Sequence, residues 1–189
     1  MINSFLQDHW KIFSTLVLAC GMAWMGLTAM QSTGTTQGLI PAPRQGFLAP
    51  DFNLEDLGGN RYSLQDFRGK VVVVNIWTTW CAFCKTEMPA FQKVSDSLKS
   101  ESGVVILAVN STFQDDSTKV AQFVSDYGLH YPVLLDPSGR ATNAYQVRAL
   151  PTTFFIDRDG IIQNVTIGGP LTEAMILTQI SSLLEKAPN

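Results

Sequence analysis

Two β-branched runs with almost no polar interruption constrain the fold of this 189-residue chain more than any other feature. They are residues 71–76 (VVVVNI) and residues 104–109 (VVILAV). A strand with one face in water alternates apolar and polar residues, whereas a strand covered on both faces does not. The two runs therefore predict strands of a sheet that carries helices on both faces.

The segment between the two runs has the period of an amphipathic helix. With about 100° per residue, its apolar and small side chains fall on one face and its charged side chains on the other. The inward set is Cys84, Met88, Phe91, Ser95 and Leu98, and the outward set is Lys85, Lys93 and Asp96. A strand, a helix and a second strand in this order predict a β-α-β unit.

Weaker patterns predict the remaining elements. The predicted fold class is α/β, with a mixed central sheet and helices on both faces. The expected elements are a hairpin around residues 58–60, a helix that ends before Gly128, strands over residues 131–135, 152–156 and 161–167 with a turn at residues 157–160, and a closing helix marked by Leu171, Met175, Ile180 and Leu184. An acidic pair, Asp115 and Asp116, is expected to lie solvated in a surface loop.

The charge of the chain excludes one class of partner. The formal net charge is −3, charged residues make up 15% of the chain, and no run of Lys or Arg occurs. Nucleic-acid binding depends on a basic patch or stripe, because the phosphate backbone supplies most of the affinity. No nucleic-acid partner is therefore expected.

The N-terminal segment differs from the rest of the chain in composition. Residues 12–30 contain no charged side chain, and as a helix they would span about 28 Å, close to the hydrocarbon thickness of a bilayer. We predict a cytoplasmic N-terminus over residues 1–11, a transmembrane anchor in the cell membrane over residues 12–30, a flexible tether over residues 31–46 and one extracytoplasmic domain over residues 47–189. The domain is expected to fold without the apolar segment.

Other interpretations of the apolar segment stay open. A cleaved signal peptide would have a shorter apolar run followed by small residues at the cleavage site. A lipoprotein signal would be cleaved before Cys20, in the context VLAC. Both interpretations, like the anchor, place the domain outside the cytoplasm, whereas a buried core helix would not.

Cys81 and Cys84 join the first predicted strand to its helix. Unpaired N–H groups and the dipole at a helix N-terminus favour an anion, which lowers the pKa of a thiol there. Cys81, expected to be exposed, is therefore the candidate nucleophile, and Cys84, one turn further on the inward face, is the candidate resolving thiol. Two cysteines with this spacing can also form half of a four-ligand zinc site. Such a site needs two more ligands, and Cys20, His9 and His130 are poorly placed to supply them. A purely structural disulfide is the other alternative; no metal or cofactor is expected.

These residues resemble the thioredoxin superfamily and, within it, the extracytoplasmic TlpA/ResA-like reductases. The resemblance runs from the APDF sequence at residues 49–52 to about Gly169, and it includes Trp80 before the cysteine pair and Pro89 in the following helix. It implies a thioredoxin-like fold, a redoxin domain of the AhpC/TSA type, with an N-terminal β-hairpin extension and a central insertion. It also implies a cis peptide bond before Pro151.

The resemblance further implies a function and a site. The chain would be a thiol–disulfide oxidoreductase that reduces protein disulfides through Cys81 and Cys84. The residues expected to contact the substrate are Trp80, Leu150, Pro151 and Thr152. By analogy with the family, the partner would be an oxidised apocytochrome c during cytochrome c biogenesis, and a membrane thiol donor would recycle the enzyme.

Glu87 is the third candidate catalytic residue. It lies about 60° from Cys84 on the helical wheel, at the edge of the apolar face, where burial would raise its pKa. ResA-like proteins have a Glu at a similar place, and the resemblance implies that it relays protons to Cys84. The alternative is an ordinary acid at a helix start that faces solvent. Asn75 stands where thioredoxin itself has a buried Asp.

Two rival functions stay open. Thr78 and Cys81 have the spacing of the peroxiredoxin Thr-x-x-Cys pattern, which would make the chain a thiol peroxidase, although Val74 stands where that family has Pro. A redox-inert binding module, such as a metal chaperone, is the second rival. The Cys81–Cys84 pair fits disulfide exchange better than either.

Overall fold

The computed structural model describes residues 40–98 and 103–185. These residues lie in the second of the two units into which the chain divides, Gln37–Asn189. The predicted segments 1–11 and 12–30, with Cys20, lie outside the described residues, as does most of the predicted tether. Within the described ranges, none of the helices has the length and apolar character that a membrane crossing needs.

A seven-stranded mixed sheet forms the centre of the described domain. Its strands are β1 Asn53–Asp56, β2 Arg61–Ser63, β3 Val71–Trp77, β4 Val104–Asn110, β5 Val133–Leu135, β6 Thr152–Ile156 and β7 Ile162–Ile167. The strand order is β2-β1-β5-β4-β3-β6-β7, in which β4 runs parallel to β3 and β5, and the other neighbours are antiparallel. The predicted α/β class and mixed sheet are confirmed, and the β1–β2 hairpin extends one edge of the sheet.

Four α-helices accompany the sheet in the described ranges. They are α1 Ala82–Ser97, α2 Ser117–Tyr127, α3 Arg140–Ala144 and α4 Glu173–Glu185, and 3₁₀ helices cover Leu64–Phe67 and Thr112–Gln114. The segment between β4 and β6 carries α2, β5 and α3. The predicted inward face of α1 is confirmed at Cys84, Met88 and Phe91, which are fully buried.

Three details of the sequence-based assignment are wrong. Helix α3 is missing from it, because five residues are too few to show a helical period. Strand β5 begins at Val133 rather than at residue 131, and the intervening Pro132 has no N–H to give to a sheet. Met175 is 49% exposed rather than inward-facing, whereas the adjacent Ile176 is fully buried. The predicted helical period starts at Leu171, which lies before the first residue of α4. It therefore places this part of the inward face at Met175, one residue before the buried Ile176.

Strand β3 is covered on both faces, and each of its seven residues is buried. Successive side chains of a strand point to opposite faces, so β3 contributes to two separate cores. Val73 belongs to the core shared with α1, α2 and α4. Val74 belongs to the core shared with β1 and α3. The prediction from the unbroken apolar run is therefore confirmed for this strand.

The residues just before β1 dock on the β6–β7 hairpin. The Gly46 N–H donates to the Ile162 carbonyl at 2.8 Å, and the Ile162 N–H donates to the Phe47 carbonyl at 2.9 Å. The Ala49 N–H donates to the Gly160 carbonyl at 2.9 Å. The last residues of the predicted tether thus contact the domain through backbone hydrogen bonds.

We predict that a chain shortened to begin at Ile40 keeps the stability of the domain, whereas a chain begun at Pro50 is less stable. The shorter chain lacks these three backbone hydrogen bonds. Each contributes about 1 kcal/mol net, so the expected loss is about 3 kcal/mol. Urea unfolding of the two shortened chains, followed by circular dichroism, measures the difference. Equal midpoints would show that the docked segment contributes nothing.

Candidate active site

Cys81 and Cys84 lie at the junction of β3 and α1, as predicted. They form a disulfide, with their Cα atoms 5.2 Å apart. Cys81 is the N-cap residue of α1, and its sulfur accepts a hydrogen bond from the Cys84 N–H at 3.1 Å. After reduction, this sulfur lies where the N–H groups and the dipole of α1 stabilise a negative charge.

The two sulfurs differ in accessibility less than the sequence suggests. Cys84 is fully buried and Cys81 is only 6% exposed, so the prediction of an exposed Cys81 is wrong. The reason is that both side chains pack into the core that α1 shares with β3. Cys81 nevertheless lines a surface groove, and Cys84 does not. Cys81 is therefore the sulfur that a partner can reach.

The groove beside Cys81 has an aromatic wall and a loop wall. Trp80 and Phe83, which are 58% and 56% exposed, form the aromatic wall. Residues 147–150 form the loop wall. Arg148 is the one charged side chain among the described residues that line the groove. The groove thus combines two exposed aromatic rings with polar groups and carries a single positive side chain.

The loop wall continues into β6 through Pro151. The Leu150–Pro151 bond is cis, as the resemblance implies. Thr152 pairs with Ile76 near the end of β3, so the loop and the cysteine turn lie at the same edge of the sheet. The Thr152 hydroxyl donates to the Ala149 carbonyl at 2.7 Å, which ties the loop to the strand. Of the sequence-predicted substrate residues, Trp80 and Leu150 line the groove, whereas Pro151 and Thr152 are buried behind the loop wall and do not line it.

Glu87 lies three residues after Cys84 in α1 and is fully buried. Its Oε1 accepts a hydrogen bond from Asn75 Nδ2 at 2.8 Å, and its Oε2 accepts one from the Leu171 N–H at 3.0 Å. Burial raises the pKa of Glu87 to about 7, and the two hydrogen bonds oppose the rise because they favour the charged form. The predicted rise in pKa is confirmed, and the alternative of a solvent-facing acid is wrong.

Asn75 has contacts that the sequence analysis did not find. Its Nδ2 donates to Glu87 and also to the Thr153 hydroxyl at 2.9 Å. Its Oδ1 is buried and has no hydrogen-bond partner among the described residues. Asn75 therefore connects the buried carboxyl to β6, two residues after Pro151. The one available signal is that Asn75 is the single polar residue of the first apolar run.

Asp115 holds the turn before Cys81, so the prediction of a merely solvated acidic pair is wrong. Its carboxylate accepts hydrogen bonds from the Thr79 N–H and the Thr79 hydroxyl, both at 2.6 Å, and from Asn110 Nδ2 at 2.9 Å. Partial burial acts to raise the pKa of Asp115, but these hydrogen bonds outweigh burial and lower it below its ordinary value. The adjacent Asp116 is the N-cap of α2.

Comparison with known proteins connects this site to a family. Residues 46–165 match the AhpC/TSA family. The chain is 36% identical over 172 residues to the thiol-disulfide oxidoreductase ResA of Geobacillus kaustophilus strain HTA426, and the alignment covers 91% of this chain and 95% of that protein. It is 42% identical over 132 residues to the thiol-disulfide oxidoreductase ResA of Bacillus subtilis strain 168, and this alignment covers 70% of this chain and 72% of that protein.

Solved structures share the architecture. StoA from Bacillus subtilis superposes with a TM-score of 0.61 and 27% identity, over 69% of this chain and 96% of that one. The pneumococcal exposed lipoprotein thioredoxin Etrx1 from Streptococcus pneumoniae strain TIGR4 superposes with a TM-score of 0.62 and 30% identity, over 71% of this chain and 100% of that one. The expectation of a thioredoxin-like fold is confirmed.

We predict that E87Q changes how the stability of the oxidised protein depends on pH. Glu87 has a pKa of about 7 in the folded protein and an ordinary value of 4.5. The folded state therefore holds this proton more tightly than the unfolded state does. The resulting stabilisation is complete below about pH 4.5 and is lost as pH rises through about 7, a total of about 3 kcal/mol. E87Q removes this dependence at nearly constant shape.

Urea unfolding of the oxidised wild type and E87Q across this pH range measures the effect. Keeping the disulfide closed prevents the two thiols from titrating. The wild type should lose about 3 kcal/mol relative to E87Q as the pH rises. Parallel stability curves would show that Glu87 does not titrate in this range.

Proposed function

We infer that this chain, which belongs to the AhpC/TSA family, is a thiol–disulfide oxidoreductase that works through Cys81 and Cys84. The observation that carries the inference is the disulfide at the N-terminus of α1, with one sulfur in a groove and the other buried. Two relatives that align over 70% of the chain or more are named thiol-disulfide oxidoreductases. Reduction of protein disulfides is the direction that we propose.

The proposed reaction begins with both cysteines reduced. The Cys81 thiolate attacks one sulfur of a partner disulfide, the partner S–S bond breaks, and the released sulfur takes a proton. Cys84 then loses its proton and attacks the Cys81 sulfur, which frees the second partner sulfur and closes the Cys81–Cys84 disulfide. The partner gains two electrons from the chain and two protons. One proton is equivalent to the one that Cys84 releases, and the other comes from solvent, because Cys81 enters as the thiolate.

Glu87 is proposed as the acceptor of the Cys84 proton. Both residues are fully buried and lie three positions apart, on the same face of α1. A carboxyl with a pKa of about 7 can take up and release a proton near neutral pH, which is what a general base in this step requires.

The groove beside Cys81 is proposed to seat the partner segment that carries the disulfide. The exposed rings of Trp80 and Phe83 favour a partner with an apolar side chain next to the cysteine. The indole Nε1 of Trp80 donates to the Gln114 carbonyl at 3.0 Å, so this wall is held in place before a partner arrives. Leu150, Pro151 and Thr152 would align the partner backbone on the other side.

The finer proposal places the domain outside the cytoplasm, held to the membrane by residues 12–30. Its partner would be an oxidised apocytochrome c, whose C-x-x-C-H haem-attachment segment supplies a disulfide, and a membrane thiol donor would return the chain to the reduced form. The support is the similarity to ResA proteins. Lipid attachment at Cys20 is the alternative to the anchor, and one solved structure of the same fold is named a lipoprotein thioredoxin.

The peroxidase alternative has weaker support than disulfide exchange. The Thr78 hydroxyl is fully buried and has no hydrogen-bond partner among the described residues. Cys81 is paired with a second cysteine one helical turn away, which is the arrangement that exchange uses. Steady consumption of hydrogen peroxide that is lost in T78V would instead favour the peroxidase.

We predict that C84S traps mixed disulfides with a partner, whereas C81S traps few. Cys81 lines the groove and Cys84 is fully buried, so only Cys81 can attack a partner directly. The chain begun at Ile40 removes Cys20 from the experiment. Each variant is incubated with an oxidised peptide that contains C-x-x-C-H, and the adduct is measured by mass spectrometry. Equal amounts of adduct would contradict the assignment of the two sulfurs.

We predict that Arg148 gives the groove a preference for an acidic residue beside the partner cysteine. An exposed ion pair contributes about 0.5–1 kcal/mol, which corresponds to a two- to fivefold difference in kcat/KM. The substrates are three oxidised peptides that differ only in a Glu, Gln or Lys next to the cysteine. The wild type should prefer Glu, and R148E should prefer Lys.

R140E is the matched control, because Arg140 is exposed in α3 and does not line the groove. It changes the net charge as much as R148E does. The wild-type preference should persist in R140E. If R148E and R140E change the preference equally, the effect comes from the charge of the whole domain rather than from the groove.

A further inference from the structure

The turn between β7 and α4, residues 168–171, touches the substrate loop and the buried carboxyl at once. At one end, the Gly168 N–H donates to the Pro151 carbonyl at 2.7 Å. At the other end, the Leu171 N–H donates to Glu87 Oε2 at 3.0 Å. Two backbone hydrogen bonds of one short turn thus go to two separate parts of the site.

Gly169 lies between these two hydrogen bonds and has no room for a side chain. A Cβ atom at this position would lie 2.7 Å from Glu87 Oε2 and 2.9 Å from Pro151 Cγ. Carbon atoms do not approach other heavy atoms so closely in a packed protein. The Glu87 carboxyl and the Pro151 ring therefore both border the space that a side chain at residue 169 would occupy.

The backbone of Gly169 does not itself require glycine. Among the described glycines with positive φ are Gly168, at 82°, and Gly160, but not Gly169. A Cβ atom at Gly168 would have nothing within 4 Å. Gly168 is therefore needed for its backbone conformation and Gly169 for the space that it leaves free.

A second connection joins the carboxyl to the same loop. Asn75 Nδ2 donates both to Glu87 Oε1 and to the hydroxyl of Thr153, which follows Pro151 by two residues. The Glu87 carboxyl is thus held on one oxygen through Asn75 and on the other through the turn. Both connections lead to the segment that carries Pro151.

We propose that the turn 168–171, with Gly169 at its centre, is a positioning element that packs the Glu87 carboxyl against the Pro151 loop. The contact of this turn with Glu87 and Pro151 then fixes both where the partner segment binds and where the proton acceptor Glu87 lies. This proposal rests on the proposed function for its effect on exchange, but the contact itself does not depend on turnover. Gly169 touches no reacting atom, so its role is positioning.

Two other titratable groups share the surroundings of Glu87. Cys84 lies on the same face of α1. Tyr131, which precedes β5, has its pKa raised by burial and by the charge of Glu87, and its hydroxyl donates to Met88 Sδ at 3.0 Å. The elements β3 and β6 contribute Asn75 and Thr153, which do not titrate. An experiment on oxidised protein therefore isolates Glu87, because the Cys84 thiol is absent.

The test compares G169A in the full chain with G59A, a control in the β1–β2 turn, where Gly59 has a φ of 82° and a Cβ atom would have nothing within 4 Å. G169A inserts a methyl group beside Glu87 and Pro151 at a residue without a positive φ. G59A strains the backbone at the opposite edge of the sheet and does not enter that space. The titration of Glu87 is followed in oxidised protein by the infrared absorption of its protonated carboxyl, assigned by its loss in E87Q. G169A should move the Glu87 pKa upward from about 7, because the hydrogen bond from Leu171 favours the charged form and is displaced.

Exchange is the second readout. In G169A, kcat/KM for an oxidised C-x-x-C-H peptide should fall by about tenfold or more, and the fall with a small aromatic disulfide should be smaller, because only the peptide uses the Pro151 loop. G59A should keep the Glu87 titration and the peptide kcat/KM of the wild type while it unfolds at a lower urea concentration. An unchanged Glu87 titration together with unchanged peptide kinetics in G169A would overturn the proposal.

A double variant covers the case in which G169A fails to fold. E87A removes the carboxyl that the new methyl group would meet, so E87A/G169A should fold at a lower cost than G169A alone. A double variant no more stable than G169A would overturn the link to Glu87. If the wild type shows no exchange but the Glu87 titration shifts in G169A, the proposed function fails and the positioning contact stands.

Discussion

The burial of β3 on both faces is the constraint on which the site depends. The strand pairs with β4 on one side and β6 on the other, and all of its residues are buried. Burying a Val or Ile side chain contributes about 1.5–3 kcal/mol, so this strand is held firmly in place. The chain leaves β3 at Trp77 and enters α1 at Ala82. The cysteine pair therefore follows directly from a fully buried strand, beside the loop that precedes β6.

A polar group interrupts that packing beneath the disulfide. Glu87, Asn75 and Thr153 come from α1, β3 and β6, and they meet in a region otherwise filled by apolar side chains. A buried carboxyl is costly, and apolar residues of the same size would give a more stable core. The hydrogen bonds offset only part of that cost, because burial still raises the Glu87 pKa to about 7. A titratable group kept at this cost next to a redox-active pair is the pattern of a functional site.

Local patterns predicted those parts of the molecule that short-range periodicity describes. The runs that became β3 and β4, the inward face of α1 and the position of Glu87 at its edge all follow from spacing along the chain. Asp115 shows the limit of such patterns. Its partner Thr79 lies 36 positions away, and nothing in the neighbourhood of an acidic pair indicates that distant backbone and hydroxyl donors will meet it. The presence of acidic residues in a loop therefore gives no information on whether they are solvated or structural.

The sequence by itself determined the strand–helix junction, the cysteine spacing and the side of α1 that faces the core, because these depend on the period of each element. Only the tertiary structure decided that Cys81 is nearly buried and which donors bind the Glu87 carboxyl. It also decided that residue 169 must lack a side chain, because Glu87 and Pro151 border that space. The Glu87–Leu171 hydrogen bond joins residues 84 positions apart. Contacts of that range depend on how the sheet and helices pack together, and the periodicity of a single segment does not encode them.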